Sequence, residues 1–262
     1  MTSPNPVLRV DGLAKSFGPK AVLRDVHFTA DAGEFVCVVG PSGAGKTTLL
    51  RCAGGLLPPS HGEVLLAGAP VTEPPPGLAV VFQDYSRSLL PWMRVRDNVA
   101  FPLRSRRVPV AERRRRADAA LLAVNLTGAG DLYPWQLSGG MQQRVAIARA
   151  LAYEPEVLHM DEPFASVDAQ TRAELEDLVL DVRRRTGVTF VLVTHDIDEA
   201  VYLADRVVVL SGIPATVTDT VHVDLGDDRD QVETKARHEF VELRTHVLRL
   251  IRAAGARSRA TA

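Results

Sequence analysis

The stretch Glu34-Phe-Val-Cys-Val-Val-Gly40-Pro-Ser-Gly-Ala-Gly-Lys46-Thr-Thr-Leu-Leu-Arg-Cys-Ala53 decides the fold. It opens on an apolar run without polar alternation, as expected of a strand covered on both faces. A glycine-rich loop follows, and then a helical pattern over Lys46–Ala53 that stops at Gly54-Gly55. Gly40–Thr47 fits G-x-x-x-x-G-K-[ST] in its required strand–loop–helix setting. Glycines let successive backbone N–H groups curl around a phosphate, and the helix N-terminus adds partial positive charge. Lys46 then reaches the β- and γ-phosphates, and the Thr47 hydroxyl is placed to ligate Mg²⁺. The only lysines are Lys15, Lys20, Lys46 and Lys235, so a lysine in this loop carries weight. The loop is expected to bind a nucleoside triphosphate.

Further apolar runs read as strands: Leu8–Val10, Val22–Thr29, Glu63–Ala67, Leu78–Phe82, Val157–Asp161, Thr189–Thr194 and Arg206–Leu210. The first run and Glu63–Ala67 alternate with polar residues and suggest an antiparallel layer. Helical patterns cover Val110–Val124, Gly140–Tyr153 and Gln170–Arg185. The expected fold class is α/β, a P-loop NTPase core: a mixed sheet with helices on both faces plus the antiparallel layer. Strand signals vanish across 86–153, which reads as an inserted helical subdomain of a domain spanning 1–220. The run Arg113–Arg116 within it reads as a solvated helix face. A tail, 221–262, carries Phe240, Leu243, Val247 and Leu250 at helical spacing, an apolar stripe that covers either this domain or a partner helix.

The chain has 262 residues, 31 basic and 32 acidic, for a formal charge of -1. A dedicated nucleic-acid binder shows a basic excess, so no nucleic acid is expected. Cys37 and Cys52 have no metal-type spacing and suggest no disulfide framework. No stretch approaches about 18 apolar residues, and the first residues have no secretion-signal pattern, so a soluble protein without a membrane span is expected.

A magnesium-phosphate site needs a carboxylate ending a neighbouring strand, and Val157-Leu-His-Met-Asp161-Glu162 supplies two acids. A carboxylate ending a buried strand is costly unless it is paired or near a cation. Asp161 is assigned to the metal. Glu162 points elsewhere and is placed to polarise an attacking water as general base. His159, inside the strand, reads as a hydrogen-bonded core histidine. Leu137-Ser138-Gly139-Gly140-Met141-Gln142 is a second anion-binding helix start. Serving the same nucleotide within one chain it would be redundant. Two copies facing head-to-tail give each nucleotide one loop from each chain.

That arrangement, and the motifs in order from about Leu8 to Ser211, resemble the ATP-binding cassette (ABC) ATPases. Gly40, Pro41, Ser42, Gly43, Ala44, Gly45, Lys46, Thr47 and the adjoining Thr48 resemble the family's Walker A, and Val157–Glu162 its Walker B. Ser138, Gly139, Gly140 and Gln142 resemble its signature, which contacts the facing subunit's ATP. The resemblance makes Phe17 the aromatic stacked on adenine and Gln83 the Q-loop glutamine at Mg²⁺. It makes Asp168 the D-loop aspartate and His195 the switch histidine at the γ-phosphate. The resemblance implies ATP and Mg²⁺ as cofactors and Glu162, His195, Gln83 and Lys46 as the catalytic set.

Finer wording, Val81–Trp92, Met160–Phe164 and Asp198–Asp205, resembles importer subunits of the nitrate/sulfonate/taurine type. The resemblance implies a homodimer, transmembrane permease partners and, indirectly, an extracytoplasmic solute-binding protein, at the cytoplasmic face of the cell membrane. Leu89, Leu90, Pro91 and Trp92 either help form the permease groove or pack the insertion's own core. A soluble ABC-type ATPase acting on nucleic acid or ribosomes, or an exporter subunit, is the alternative.

Overall fold

The computed structural model describes residues 6–84 and 88–260, with side chains described to residue 253. Tyr85–Arg87, including the expected start of the insertion at Ser86, lie outside the described residues.

One ten-stranded sheet organises the chain, in the order β5-β4-β1-β2-β10-β9-β3-β8-β7-β6. The strands are β1 (Leu8–Phe17), β2 (Lys20–Ala30), β3 (Phe35–Val39), β4 (His61–Leu66), β5 (Ala69–Pro70), β6 (Leu78–Val81), β7 (Val157–Asp161), β8 (Thr189–Val193), β9 (Arg206–Gly212) and β10 (Ala215–His222). From β9 through β3, β8 and β7 to β6 every pairing is parallel. The β2–β1–β4–β5 pairings are antiparallel, and β10 returns antiparallel along β9. The parallel strands alternate their apolar side chains between two cores. Phe35, Cys37 and Val39 enter one, and Val36 and Val38 the other. β8 and β9 divide their residues the same way, which is why these strands read as unbroken apolar runs.

The helices among the described residues include α1 (Lys46–Ala53), α2 (Val95–Ala100), α3 (Val110–Ala123), α4 (Gly139–Leu151), α5 (Ala169–Thr186), α6 (Ile197–Leu203), α7 (Glu233–Ala236) and α8 (His238–Ala260). α1 packs in the core it shares with β1, β2 and β4, and the later helices pack in the core on the other sheet face. The fold is therefore the α/β P-loop NTPase arrangement with helices on both faces.

The strand β10 escapes the sequence reading. Thr216, Thr218 and Thr220 interleave with Val217, Asp219 and Val221, a pattern held extended by antiparallel pairing with β9 along its length and by parallel pairing with β2 at Ala215. The boundary expected after residue 220 falls inside this strand. The segment beyond it is no separate body: Val221, Val223, Leu225, Phe240 and Val247 are buried in the core beside α6 and β9. The stripe of the tail helix thus covers its own domain. Among 86–153, Arg115 and Arg116 pair with Glu112, and Arg116 also with Glu154. No helix among the described residues is long and apolar enough to cross a membrane.

Candidate active site

The motifs converge because each follows the carboxyl end of a parallel strand, the edge where open α/β sheets bind ligands. The glycine-rich loop follows β3, Gln83 follows β6, Glu162 follows β7 and His195 follows β8. A cavity of about 440 Å³ opens there, lined by Ser42, Gly43, Gly45–Thr48 and Glu162.

The loop is shaped for an anion. Gly45 has φ 79°, and a Cβ there would sit 2.8 Å from Val22 Cγ1, so only glycine fits between loop and β2. No side chain caps the first turn of α1, which leaves its N–H groups free for a ligand. Lys46 Nζ donates to the carbonyls of Gly40 (3.0 Å) and Pro41 (3.3 Å), folded across its own loop. Burial pushes its ammonium below the ordinary lysine range, against the attraction of Glu162 and Asp161. A buried cation satisfied by carbonyls alone gains most from an anion.

Beside it, the Thr47 hydroxyl donates to Asp161 Oδ1 at 3.1 Å. Burial pushes the Asp161 carboxyl up, opposed by this hydrogen bond and by the charges of Arg51 and Lys46. A hydroxyl and a desolvated carboxylate side by side form a hard-oxygen donor set, and it fits Mg²⁺.

Glu162 is the hub. Its φ of 44° is left-handed, a conformation uncommon for a residue with a side chain. Its N–H is tied to Val193 O at 2.8 Å. The turned carboxylate accepts from Gln83 Nε2 at 3.3 Å, and its same Oε2 lies 3.1 Å from His195 Nδ1. Residues from three strands thus meet at one oxygen facing the phosphate loop.

The expected signature lies elsewhere. Ser138 caps α4 by accepting from Met141 N at 3.3 Å, and Gln142 Nε2 donates to Leu137 O at 3.2 Å. Neither they nor Gly139 and Gly140 line the cavity. Asp168 caps α5, accepting from the Thr171 N–H at 3.0 Å and its hydroxyl at 2.7 Å. Gly140 is pressed against that threonine, since a Cβ at 140 would lie 2.4 Å from Thr171 Cγ2. Phe17, half-exposed, is also outside the cavity lining; its backbone pairs across the hairpin with Lys20, which does line it, and Lys15 Nζ lies 5.3 Å over its ring.

The chain matches the ABC transporter family model over residues 23–165. It belongs to the ABC transporter family. The nitrate import ATP-binding protein of Synechococcus elongatus is 43% identical over 248 residues, 92% of this chain and 90% of that protein. The taurine import ATP-binding protein of Escherichia coli O157:H7 is 41% identical over 92% of this chain and 96% of that one. Among solved structures, an ATP-binding cassette described as a dimer in a post-hydrolysis state, bound to ADP and Pi, superposes with a TM-score of 0.71 at 31% identity. It covers 83% of this chain and 99% of that one. As an ABC protein of this subgroup, the chain is an ATPase.

Sequence reasoning missed part of the cavity wall: Lys20, Ala21 and Val22 of β2, Gly212 at the end of β9 and Ile213 in the β9–β10 turn. Ile213 is 79% exposed, an apolar residue with no place in either core. Its location follows from β10, which the sequence reading lacked. His159 corrects another expectation. It is fully buried, but neither ring nitrogen has a hydrogen-bond partner among the described residues. Its neighbours Leu78 and Gly54 offer no acceptor side chain, and burial holds its imidazole neutral with a pKa of about 3. The run 89–92 divides: Leu89 is buried, whereas Trp92 is 72% exposed. The buried Asn98 fixes this run, donating to the carbonyls of Leu90 and Met93 at 3.0 Å each.

Proposed function

We propose that the chain is the ATP-hydrolysing subunit of a membrane importer for a small solute of the nitrate, sulfonate or taurine type, driven by ATP-dependent closure of a homodimer. The observation that carries this reading is the split of the machinery. Lys46, Thr47 and Glu162 line one cavity, with Asp161 bound to Thr47 and with Gln83 and His195 on Glu162, while Ser138–Gln142 sit on a separate helix start outside it. A second copy placed head-to-tail supplies the missing anion site. The names of the nitrate and taurine import proteins support the solute class, and the dimeric cassette supports the sandwich.

Each residue then has a task. The N–H groups of the loop and of α1 cradle the phosphates, and Lys46 exchanges its carbonyl partners for β- and γ-phosphate oxygens. Thr47, Asp161 and Gln83 would hold Mg²⁺, which when bound would neutralise negative charge on the nucleotide's phosphates. Glu162 orients the attacking water and draws its proton, and His195 steadies Glu162 and contacts the γ-phosphate. Asp168 tunes the facing copy through the turn before α5. Val22 and Ile213 wall the nucleoside end, with Phe17 stacking on the base. ATP favours the closed dimer by binding it more tightly than the open one. Closure carries the groove at Leu89, Leu90, Pro91 and the exposed Trp92 against a cytoplasmic helix of the permease. The chain thereby sits at the cytoplasmic face of the membrane, and an extracytoplasmic solute-binding protein feeds the permease.

Detergent pull-down of the tagged Glu162→Gln protein with ATP·Mg²⁺, read by mass spectrometry, tests this reading. Recovery of a polytopic membrane protein supports the transporter assignment. Recovery of only soluble partners or nucleic acid overturns it and leaves the ATPase alone.

A further inference from the structure

His195 stands on a three-residue bend whose neighbours are pinned by hydrogen bonds that the mechanism above does not use. The Thr194 hydroxyl donates to Glu199 Oε2 at 3.1 Å and accepts from the Asp196 N–H at 3.0 Å. Asp196 caps α6 by accepting from the N–H groups of Asp198 (2.9 Å) and Glu199 (3.2 Å), and its other oxygen accepts from Arg172 Nη1 at 3.1 Å. His195 is thus held on both sides while its own ring stays half-exposed, 3.1 Å from Glu162.

Glu199 is the unusual member. It is buried, 4% exposed, and its Oε1 has no hydrogen-bond partner among the described residues. It faces other acids: Glu176 of α5 and Asp196 of its own helix act on it, with Arg172 as the opposing cation and the Cys37 thiol of β3 within its field. The tail closes the cluster from outside. Lys235 Nζ pairs with Glu176 Oε2 at 3.1 Å, and Gln231 Nε2 donates to that oxygen at 3.0 Å. A carboxyl buried among acids with half its hydrogen-bonding capacity unmet is a cost to the fold. An apolar side chain of the same length serves packing better.

Resting on the reading of His195 as the residue that steadies Glu162, we propose that Glu199 is a positioning residue for ATP hydrolysis, acting through the Thr194 hydroxyl to hold His195 against Glu162. The physical logic is local. Thr194 Oγ1 has one proton, given to Glu199, and its lone pair fixes the Asp196 N–H. Remove the acceptor and the hydroxyl rotor is free to turn, so the bend loses one of its two anchors. Nothing at the phosphate loop changes, because neither Thr194 nor Glu199 lines the cavity. Burial and the neighbouring acids raise the Glu199 pKa to about 8, so at neutral pH it is a neutral acid that glutamine copies in shape and in its accepting oxygen.

The test is steady-state ATPase kinetics and thermal unfolding of four variants: His195→Ala, Glu199→Met, Glu199→Gln and Thr194→Val. His195→Ala is the reference; full turnover in it removes the parent reading itself. Given its loss of turnover, Glu199→Met is expected to lower kcat by about tenfold, the value of one hydrogen bond of this kind. KM for ATP is expected to stay within about twofold and Tm to hold or rise, since a buried carboxyl is gone. Glu199→Gln restores most of kcat, and Thr194→Val repeats the kcat loss. Wild-type kcat in both Glu199→Met and Thr194→Val, or no recovery in Glu199→Gln, overturns the proposal while leaving the role of His195 intact.

Discussion

Gly140→Ala puts the contact between the signature turn and the D-loop helix to a quantitative test. The added Cβ would lie 2.4 Å from Thr171 Cγ2, more than about 1 Å inside an ordinary carbon contact. Thr171 has little freedom to retreat, because its hydroxyl is bound to Asp168 Oδ2 at 2.7 Å. Helix propensity alone favours alanine over glycine by about 1 kcal/mol. Overpacking of a closed contact costs about 1–3 kcal/mol, so the net effect is a loss of up to about 2 kcal/mol. Thr171→Ser removes the obstructing methyl and keeps the hydroxyl for Asp168. In the Thr171→Ser background Gly140→Ala should therefore become neutral or stabilising, a coupling of about 1–3 kcal/mol. Urea unfolding of the two single variants and the double variant measures it. An equal cost of Gly140→Ala in both backgrounds would refute the contact, and with it the mechanical link from Gly140 to Asp168.

Two further outcomes follow from the site. Ile213→Ser should weaken ATP about fivefold while leaving tripolyphosphate binding unchanged, as the partial burial of one apolar side chain by the nucleoside predicts; calorimetry with both ligands decides, and equal weakening of both removes Ile213 from the base-side wall. For Glu199, whose pKa is raised from 4.5 to about 8, the native state holds a proton that the unfolded chain has released, so wild-type stability falls as pH rises through that window. Glu199→Gln lacks this term and should gain on wild type by up to about 4 kcal/mol between about pH 5 and pH 8, at ~1.4 kcal/mol per pH unit. A pH-independent difference in urea unfolding would show that the cluster of Glu176, Asp196, Arg172 and Lys235 does not hold Glu199 neutral.

What the sequence disclosed was chemistry fixed at short range. A phosphate cradle needs its glycines, lysine and threonine in consecutive positions, so Gly40–Thr47 announces itself wherever it folds. The apolar runs ending in Asp161 and Thr194 were legible because central parallel strands are buried on both faces. Features set by distant partners were not. β10 is extended because β9 pairs with it, and Ile213 reaches the cavity only through the turn that this pairing makes. Glu199 reads as one more helix acid until the fold brings Glu176 near it, an acid itself held by Gln231 and Lys235 of the tail. His159 misled for a related reason. Its strand position was readable, but whether its ring nitrogens find partners depends on what the fold packs around them, Gly54 of α1's end among it, and neither nitrogen has a partner among the described residues.

The central claim is that each nucleotide is enclosed by the phosphate loop of one copy and the Ser138–Gln142 turn of the other. Light scattering of Glu162→Gln with and without ATP·Mg²⁺, alongside the same protein carrying Ser138→Arg, tests it most directly. The expected result is a monomer without nucleotide, an ATP-dependent dimer of Glu162→Gln, and loss of that dimer with Ser138→Arg while ATP binding by the monomer persists. Full ATP-dependent dimerisation of the Ser138→Arg protein would contradict it.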